Sequence, residues 1–293
     1  MNIYRKFIGG WNTVSVLNTL QRLNHQGMYV ILDYVKENSN NEYESEIYKN
    51  RIMDIANVTR SHMFAIKMSS MLKYDNARTV ASLLNSRDHK ITIDAENVAT
   101  YEEVSDITNK LISDFNSNNN NINKSNTIEN PVIYKTYQMY RRDALVELMK
   151  DITYCRNNNL SLGIKLVRGA YYNYDKDSGV LFNNIEDTHA NYNEACRLVL
   201  MNMSSTYNIR PIFATHNETS IDLVRSISTN LLIDPSRYAF AQLLGMKDTL
   251  SYKLAKNYTV YKYVPYGSIC ESVPYLIRRL HENPDMIKHM SIY

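Results

Sequence analysis

Short apolar or β-rich runs alternate with segments of helical period along this chain, and that alternation predicts a parallel sheet built from strand-helix units. The runs are 28–33 (MYVILD), 63–68 (MFAIKM), 91–95 (ITIDA), 132–137 (VIYKTY), 163–167 (GIKLV), 212–214 (IFA), 238–243 (YAFAQL) and 260–264 (VYKYV). Segments of helical period fall at 45–56, 101–115, 143–156, 187–203, 220–228 and 270–281. Eight such units in one chain predict an α/β fold, a (β/α)8 barrel of the TIM type.

Nearly every run ends in polar or ionisable residues. In order the ends carry Asp33, Lys67, Asp94 with Glu96, Gln138, Lys165 with Arg168, Thr215 with His216, Gln242, and Tyr263. A barrel gathers its strand ends at one face, where the active sites of such enzymes sit, so these groups are expected to converge. The competing explanation is that polar residues simply begin loops. One tract breaks the alternation: NSNNNNINKSN at 116–126 is polar and Asn-dense, and reads as a solvated loop, an insertion carrying neither core nor site.

Composition narrows the class. With 293 residues, 44% hydrophobic and 22% charged, the chain can bury a sizeable core in one or two domains. No apolar run approaches the roughly 18 residues that span a bilayer, and mean hydropathy is -0.41, so a soluble protein is expected. The 33 basic and 30 acidic residues are interspersed and nearly cancel at +3, which argues against a nucleic-acid partner. Cys155, Cys196 and Cys270 show no CxxC spacing, so they read as thiols in a reducing compartment. The opening MNIYRKFIGG lacks the apolar stretch of a signal peptide and is a poor transit peptide, hence the expectation of a cytoplasmic protein. The 24 tyrosines and the many Asn, Lys and Ile look like a coding bias and say nothing about function.

Lys67 in IKMS and Lys165 in GIKLVRG sit inside apolar strand sequence, where an ammonium is costly unless paired. Asp94 and Glu96 in IDAEN, on one side of their strand by its two-residue repeat, could be the partners. In ESVPYLIRRLHEN, Tyr275, Arg278, Arg279 and Glu282 share one helical face. The adjacent guanidiniums could grip the carboxylate of a small acid, with Tyr275 and Tyr263 walling its apolar part, or else form a solvated face with an Arg-to-Glu pair. His216 in FATHNE ends the sixth run and suits a base, a metal ligand or a hydrogen-bond donor. No HExxH is present and the other histidines lack ligand spacing, so no metal is expected. Neither GxGxxG nor a Walker loop occurs, so any dinucleotide binds by a non-Rossmann mode.

Taken in order, IKMS, IDAE, YQMYRRD, KLVRGAYY, FATHNE, FAQLLGM and YKYVPYGSICESVPYLIRRLHEN resemble the proline dehydrogenase family, from about Gly27 to Asn283. The resemblance implies a monofunctional enzyme with a distorted single-domain barrel over 27–293, preceded by a helical lead-in at 1–26. It implies FAD-dependent oxidation of L-proline to pyrroline-5-carboxylate, with electrons passed to a quinone, in the cytoplasm or loosely at a membrane. By the resemblance Lys67, Arg278 and Arg279 bind the proline carboxylate, and Asp94, Leu243, Tyr263 and Tyr275 shape the ring pocket. Lys67, Asp94, Lys165, Tyr263, Arg278 and Arg279 form the catalytic set, while Glu37 pairs with Arg278 to gate the pocket. Gln138, Lys165, Val167, Arg168, Gly169, Ala170, Tyr172, Thr215, His216, Asn217 and Gln242 match flavin-contacting positions. The order of Lys165 and Arg168 in KLVRGAY looks like the mitochondrial branch, whereas bacterial members show arginine and lysine there. The Asn-rich tract and compact N-terminal region depart from that mitochondrial branch. Three other readings stand beside it: a hydroxyproline dehydrogenase, a catalytically idle flavin-binding protein, and a class I aldolase using Lys67 or Lys165 as a Schiff base.

Overall fold

The computed structural model describes residues 2–117, 130–203 and 208–282. Helices α1 (Asn2–Phe7) and α2 (Thr13–His25) lead into β1 (Tyr29–Tyr34), α3 (Glu42–Ala56) and β2 (Met63–Ile66). Next come α4 (Met68–Met71), α5 (Tyr74–Asn85), β3 (Lys90–Ile93), α6 (Tyr101–Phe115), β4 (Ile133–Gln138), α7 (Ala144–Asn157) and β5 (Leu162–Val167). The chain continues through α8 (Tyr172–Asp175), α9 (Ile185–Asn202), β6 (Ile209–Ala214), α10 (Glu218–Asn230), β7 (Ala239–Leu243), α11 (Asp248–Ala255), β8 (Thr259–Tyr266) and α12 (Ile269–Glu282).

The strands close in chain order, β1 through β8, into the expected barrel. Each predicted run is a strand, with ends moved by a few residues. Three differences have local causes. The second run stops at Ile66, because Met68 already opens α4. The third stops at Ile93, so Asp94 and Glu96 lie beyond the strand and the alternation argument does not govern them. The sixth begins at Ile209, its first half hidden in the sequence by Pro211, which has no N–H to give a ladder. Helices α5 and α11 escape the periodicity because small residues carry much of their buried face: Ala77 and Ala81 in one, Ser251 in the other.

Contact density divides the chain into two compact units, residues 1–91 with 241–293, and residues 92–240. In the first, β1 is flanked by β2 and β8 in parallel, which sets Asp33 beside Ala65 and Pro265. Every β1 residue after Tyr29 is buried, as expected for a strand covered on both faces. In the second, β5 lies between β4 and β6, with Lys165 beside Thr136 and Ile212. Gly163 is required in β5: a Cβ there would come within 2.6 Å of the Ile133 carbonyl oxygen and the Tyr134 ring.

The asparagines attributed to coding bias have structural uses. Asn12, Asn41, Asn184 and Asn217 cap α2, α3, α9 and α10, each side chain accepting a backbone N–H of the first turn. Asn116 corrects the reading of the polar tract. It is buried, its Nδ2 donates to the Ile133 and Ser161 carbonyls at 2.9 and 3.1 Å, and its Oδ1 accepts the Val132 and Ile133 N–H groups, both at 2.9 Å. The tract therefore begins as a core tie that stitches α6 to β4 and β5; its residues from 118 onward lie outside the described residues.

Candidate active site

In the first unit the expected carboxylate-binding residues form one connected cluster. Lys67, at the end of β2, has its ammonium against Asp33 at the end of β1 and 3.3 Å from the Tyr34 carbonyl oxygen. Both side chains are withdrawn from water, Lys67 with 2% exposure and Asp33 with none. Burial, the largest single influence, would lower the lysine pKa, yet Asp33 together with Tyr48, Glu37 and Tyr275 outweighs it and holds the ammonium well above its usual range. The other Asp33 oxygen accepts from the Tyr275 hydroxyl at 3.3 Å. Burial first, and the Asp33 charge second, push the Tyr275 phenol up, so it stays a donor.

Tyr275 lies on α12, beneath both guanidiniums: Arg279 is 5.3 Å and Arg278 5.8 Å from the ring centroid. Glu37, on the loop after β1, takes both arginines, Arg278 at 2.8 Å through Oε2 and Arg279 at 3.1 Å through Oε1. The resemblance assigned Glu37 to Arg278; here its carboxylate sits in a fork made by two guanidiniums. The solvated alternative for this helix face does not describe it, since the Glu37 side chain is 6% exposed. The side chain of Glu282 lies outside the described residues.

The other expected residues of this unit sit on β7 and β8. Leu243 packs on the cluster of Phe7, Met246 and Leu276, and its carbonyl accepts from the Lys262 ammonium at 3.3 Å. Gln242 is buried, its Oε1 accepting from the Ser251 hydroxyl at 3.0 Å. Tyr263 is half-buried beside Ile31 of β1, and its carbonyl accepts the Leu244 N–H. A cavity of about 530 Å³ is lined by Arg5, Trp11, Arg22, Leu244 and Tyr252 among others. None of the expected site residues lines it.

In the second unit the strand ends carry a second polar cluster. Lys165 of β5 donates to Asp94 at 2.5 Å, so Asp94 partners this lysine and Asp33 partners the other. Glu96 contributes its carbonyl, which accepts from Gln138 Nε2 at 2.9 Å. Gln138 Oε1 accepts the Ala170 N–H at 3.2 Å, tying β4 to the loop after β5. That loop turns at Gly169, where φ is +138° and a Cβ would fall 2.5 Å from the Tyr140 ring. Val167 ends β5, its carbonyl accepting the Met139 N–H at 2.8 Å, and Tyr172 opens α8 exposed to water.

Arg168 is held at three points. Its Nη1 donates to the Thr215 hydroxyl at 2.7 Å, its Nη2 to Ser220 at 2.9 Å and its Nε to His189 Nδ1 at 2.9 Å. Thr215 is buried and also accepts the Asn217 N–H, His216 is half-buried between them, and Asn217 caps α10. Asp33, His189 and Ser220 are the members that the motifs did not single out as site residues. Asp33 was visible as the polar end of its run, but nothing local marked it as the lysine's partner. Among the described residues no group of three or more His, Cys, Asp or Glu side chains is placed to hold a metal ion, and no helix is long and apolar enough to cross a membrane.

Comparison with known proteins gives these clusters a context. The proline dehydrogenase family model matches residues 16–291, beginning inside α2. Mitochondrial proline dehydrogenase 1 of Dictyostelium discoideum is 38% identical over 172 residues, covering 54% of this chain and 30% of that protein. The human mitochondrial proline dehydrogenase 1 is 32% identical over 209 residues, covering 68% of this chain and 33% of its own length. The chain thus spans about a third of the length of these relatives. The carbapenem antibiotics biosynthesis protein CarD of Pectobacterium carotovorum is 28% identical over 309 residues, covering 94% of this chain and 78% of its own. Among solved structures, proline utilization A from Bdellovibrio bacteriovorus inactivated by N-propargylglycine superposes with a TM-score of 0.84 at 20% identity, covering 97% of this chain and 33% of that one. That likeness concerns the fold, a closed parallel barrel; the match over residues 16–291 concerns descent, and by it the chain belongs to the proline dehydrogenase family.

Proposed function

We propose that this chain oxidises L-proline to pyrroline-5-carboxylate with FAD as its resident cofactor, and passes the electrons to a quinone. The observation that carries the reading is the seat of Glu37. Two guanidiniums hold a carboxylate supplied by the chain itself, and Tyr275 beneath them links through Asp33 to the Lys67 ammonium, an arrangement suited to an amino-acid carboxylate. In the proposed complex the substrate carboxylate takes the place of Glu37 on Arg278 and Arg279 and reaches the Lys67 ammonium. Leu243, Tyr263 and Tyr275 wall the pyrrolidine ring.

The second unit's donors suit a flavin. A buried lysine, a fixed guanidinium and a glutamine amide beside the Gly169 turn offer cations and N–H donors, as an electron-poor ring and a pyrophosphate require. Gln138, Lys165, Val167, Arg168, Gly169, Ala170, Tyr172, Thr215, His216 and Asn217 would hold it. Bound there, FAD supplies the hydride acceptor for the carbon beside the proline nitrogen. The chain's own part is to orient the substrate through its carboxylate and to keep the ring against apolar walls. Lys165, paired with Asp94, would favour the more negative, reduced form of the cofactor.

An aldolase would need a neutral, nucleophilic lysine. Lys67 is the opposite, fixed as an ammonium by Asp33, and this favours the oxidoreductase. No metal enters this scheme and no nucleic acid is needed. The deciding experiment is the visible spectrum of the purified protein under anaerobic conditions. A yellow protein bleached by L-proline and hardly by D-proline is expected, with trans-4-hydroxyproline as the competing substrate. Colourless protein that takes up no FAD refutes the proposal, and a flavin that proline leaves oxidised marks an idle binding protein.

A further inference from the structure

Arg168 is fixed at more points than any flavin contact would require, and one of them depends on pH. Of the five N–H groups of its guanidinium, three are used by the chain: Nε on His189 Nδ1, Nη1 on Thr215 and Nη2 on Ser220. The guanidinium plane also lies over the Tyr192 ring at 4.3 Å, and Ser220 is itself anchored, donating to Asn193 at 2.7 Å. Two N–H groups, one on each Nη, are left for another acceptor. With Nε held as well as both Nη atoms, the in-plane rotation of the fork is fixed.

That bond dictates the state of His189. Nε of an arginine always carries its hydrogen, so Nδ1 of His189 must offer a lone pair, and the imidazole proton must sit on Nε2. Protonation removes the lone pair and sets a second positive charge 2.9 Å from the guanidinium. The charged groups that act on the ring are Arg168, from the end of β5, which opposes its protonation, and Glu186, one turn back on α9, which favours it. Burial and Arg168 together hold the imidazole below its ordinary pKa, so the bond persists at neutral pH and is lost in acid.

We propose that His189 is a positioning residue, a neutral acceptor that aims Arg168 at the flavin, and that its protonation loosens the cofactor. The inference rests on the flavin reading above and extends it to a residue outside the expected site. Its consequence is a protein that retains FAD at neutral pH and sheds it more readily in mild acid.

The test compares FAD dissociation constants for the full chain, read by flavin fluorescence, between about pH 8 and about pH 5.5. His189→Asn keeps an acceptor near the place of Nδ1 but does not titrate, and His189→Leu removes the acceptor at similar size. A hydrogen bond to a charged group is worth about tenfold or more in affinity, so the Leu variant should bind FAD about tenfold more weakly at the higher pH. The Asn variant should match the parent there, and the parent should weaken toward the Leu variant as the pH falls while Asn holds its affinity. A second reading is independent of affinity: the long-range nitrogen-proton NMR spectrum of His189 should show the Nε2-protonated tautomer. A parent-to-Asn affinity ratio that stays constant across the pH range, or the Nδ1-protonated tautomer, overturns the proposal while leaving the flavin reading intact. Failure of the parent to bind FAD even at the higher pH overturns both.

Discussion

Asp33→Asn tests the physical core of the site without reference to any ligand. In the native chain the Lys67 ammonium is 2% exposed and pairs with a carboxylate that is wholly buried. Asparagine keeps the shape and still accepts from the Tyr275 hydroxyl, which in the parent lies 3.3 Å from Asp33 Oδ2. It removes only the charge. Breaking a buried pair from one side costs about 3 to 5 kcal/mol, because the remaining charge is left without compensation. A typical domain has about 5 to 15 kcal/mol to lose, so the variant should fold with a lowered urea midpoint. Adding Lys67→Met removes the stranded charge, and the double variant should regain most of the loss.

The pH dependence gives a second, sign-specific check. In the parent, Lys67 is held above its unfolded value, so its stabilisation is complete below about pH 10 and is lost as pH rises through the folded pKa. In Asp33→Asn burial loses its main opponent, leaving only the weaker pull of Glu37, Tyr48 and Tyr275, and the folded pKa is expected to drop below the unfolded one. The unfolded chain then binds more protons between the two values, and stability rises with pH across that window. Urea titrations at about pH 7 and about pH 9.5 read both effects. A single variant within about 1 kcal/mol of the parent, or a double variant no better than the worse single one, would refute the claim that this pair is a desolvated ion pair.

Asn116→Ala should lower stability by about 3 kcal/mol or more in urea unfolding, since it strands two carbonyls and two N–H groups in the core; a loss below about 1 kcal/mol would return the residue to the loop. Arg279→Met should raise the half-saturating proline concentration roughly tenfold while flavin content stays normal, as expected for one lost charge-assisted bond, and unchanged kinetics would remove the arginine from the clamp. Lys165→Met should lower the flavin reduction potential and slow reduction in stopped flow, whereas Lys165→Arg keeps the charge opposite Asp94 and much of the activity; an arginine variant as inert as the methionine one, with full FAD, would deny the electrostatic role.

The barrel was legible because strands buried on both faces leave unbroken apolar runs, and eight of them survive even where Pro211 hides half of one. The need of Lys67 and Lys165 for partners was legible from the cost of burying an ammonium. The identity of the partners was not, because pairing between strands is set by barrel closure: Asp33 stands 34 residues before Lys67, and Asp94 71 residues before Lys165. Asp94 and Glu96 look equivalent in IDAEN because the apolar run extends past the end of the strand. With the strand ending at Ile93, one offers its carboxylate and the other its carbonyl. Asn116 was lost in composition, since a buried asparagine at the head of an asparagine tract has no local mark of its own. His189 went unmarked for a related reason, its role being set by an arginine on another element.

Three cations of the candidate site, Lys67, Arg278 and Arg279, already face carboxylates of the chain, and that pairing constrains how a substrate can bind. Asp33 cannot leave Lys67, being wholly buried and tied to Tyr275 as well. Of the three ammonium N–H groups, Asp33 and the Tyr34 carbonyl use two, so one remains for a ligand. Glu37 is different, because its partners are part-exposed arginines on α12 and its own position is on a loop. A substrate carboxylate entering the fork therefore exchanges with Glu37, and the affinity gained is the difference between two carboxylate pairings. Glu37→Gln should accordingly tighten proline binding if the exchange limits affinity, because a neutral amide holds the guanidiniums less firmly than a carboxylate does. A proline dissociation constant unchanged or weakened in that variant, with Arg278 and Arg279 intact, would show that Glu37 orders the fork for the substrate and does not compete with it.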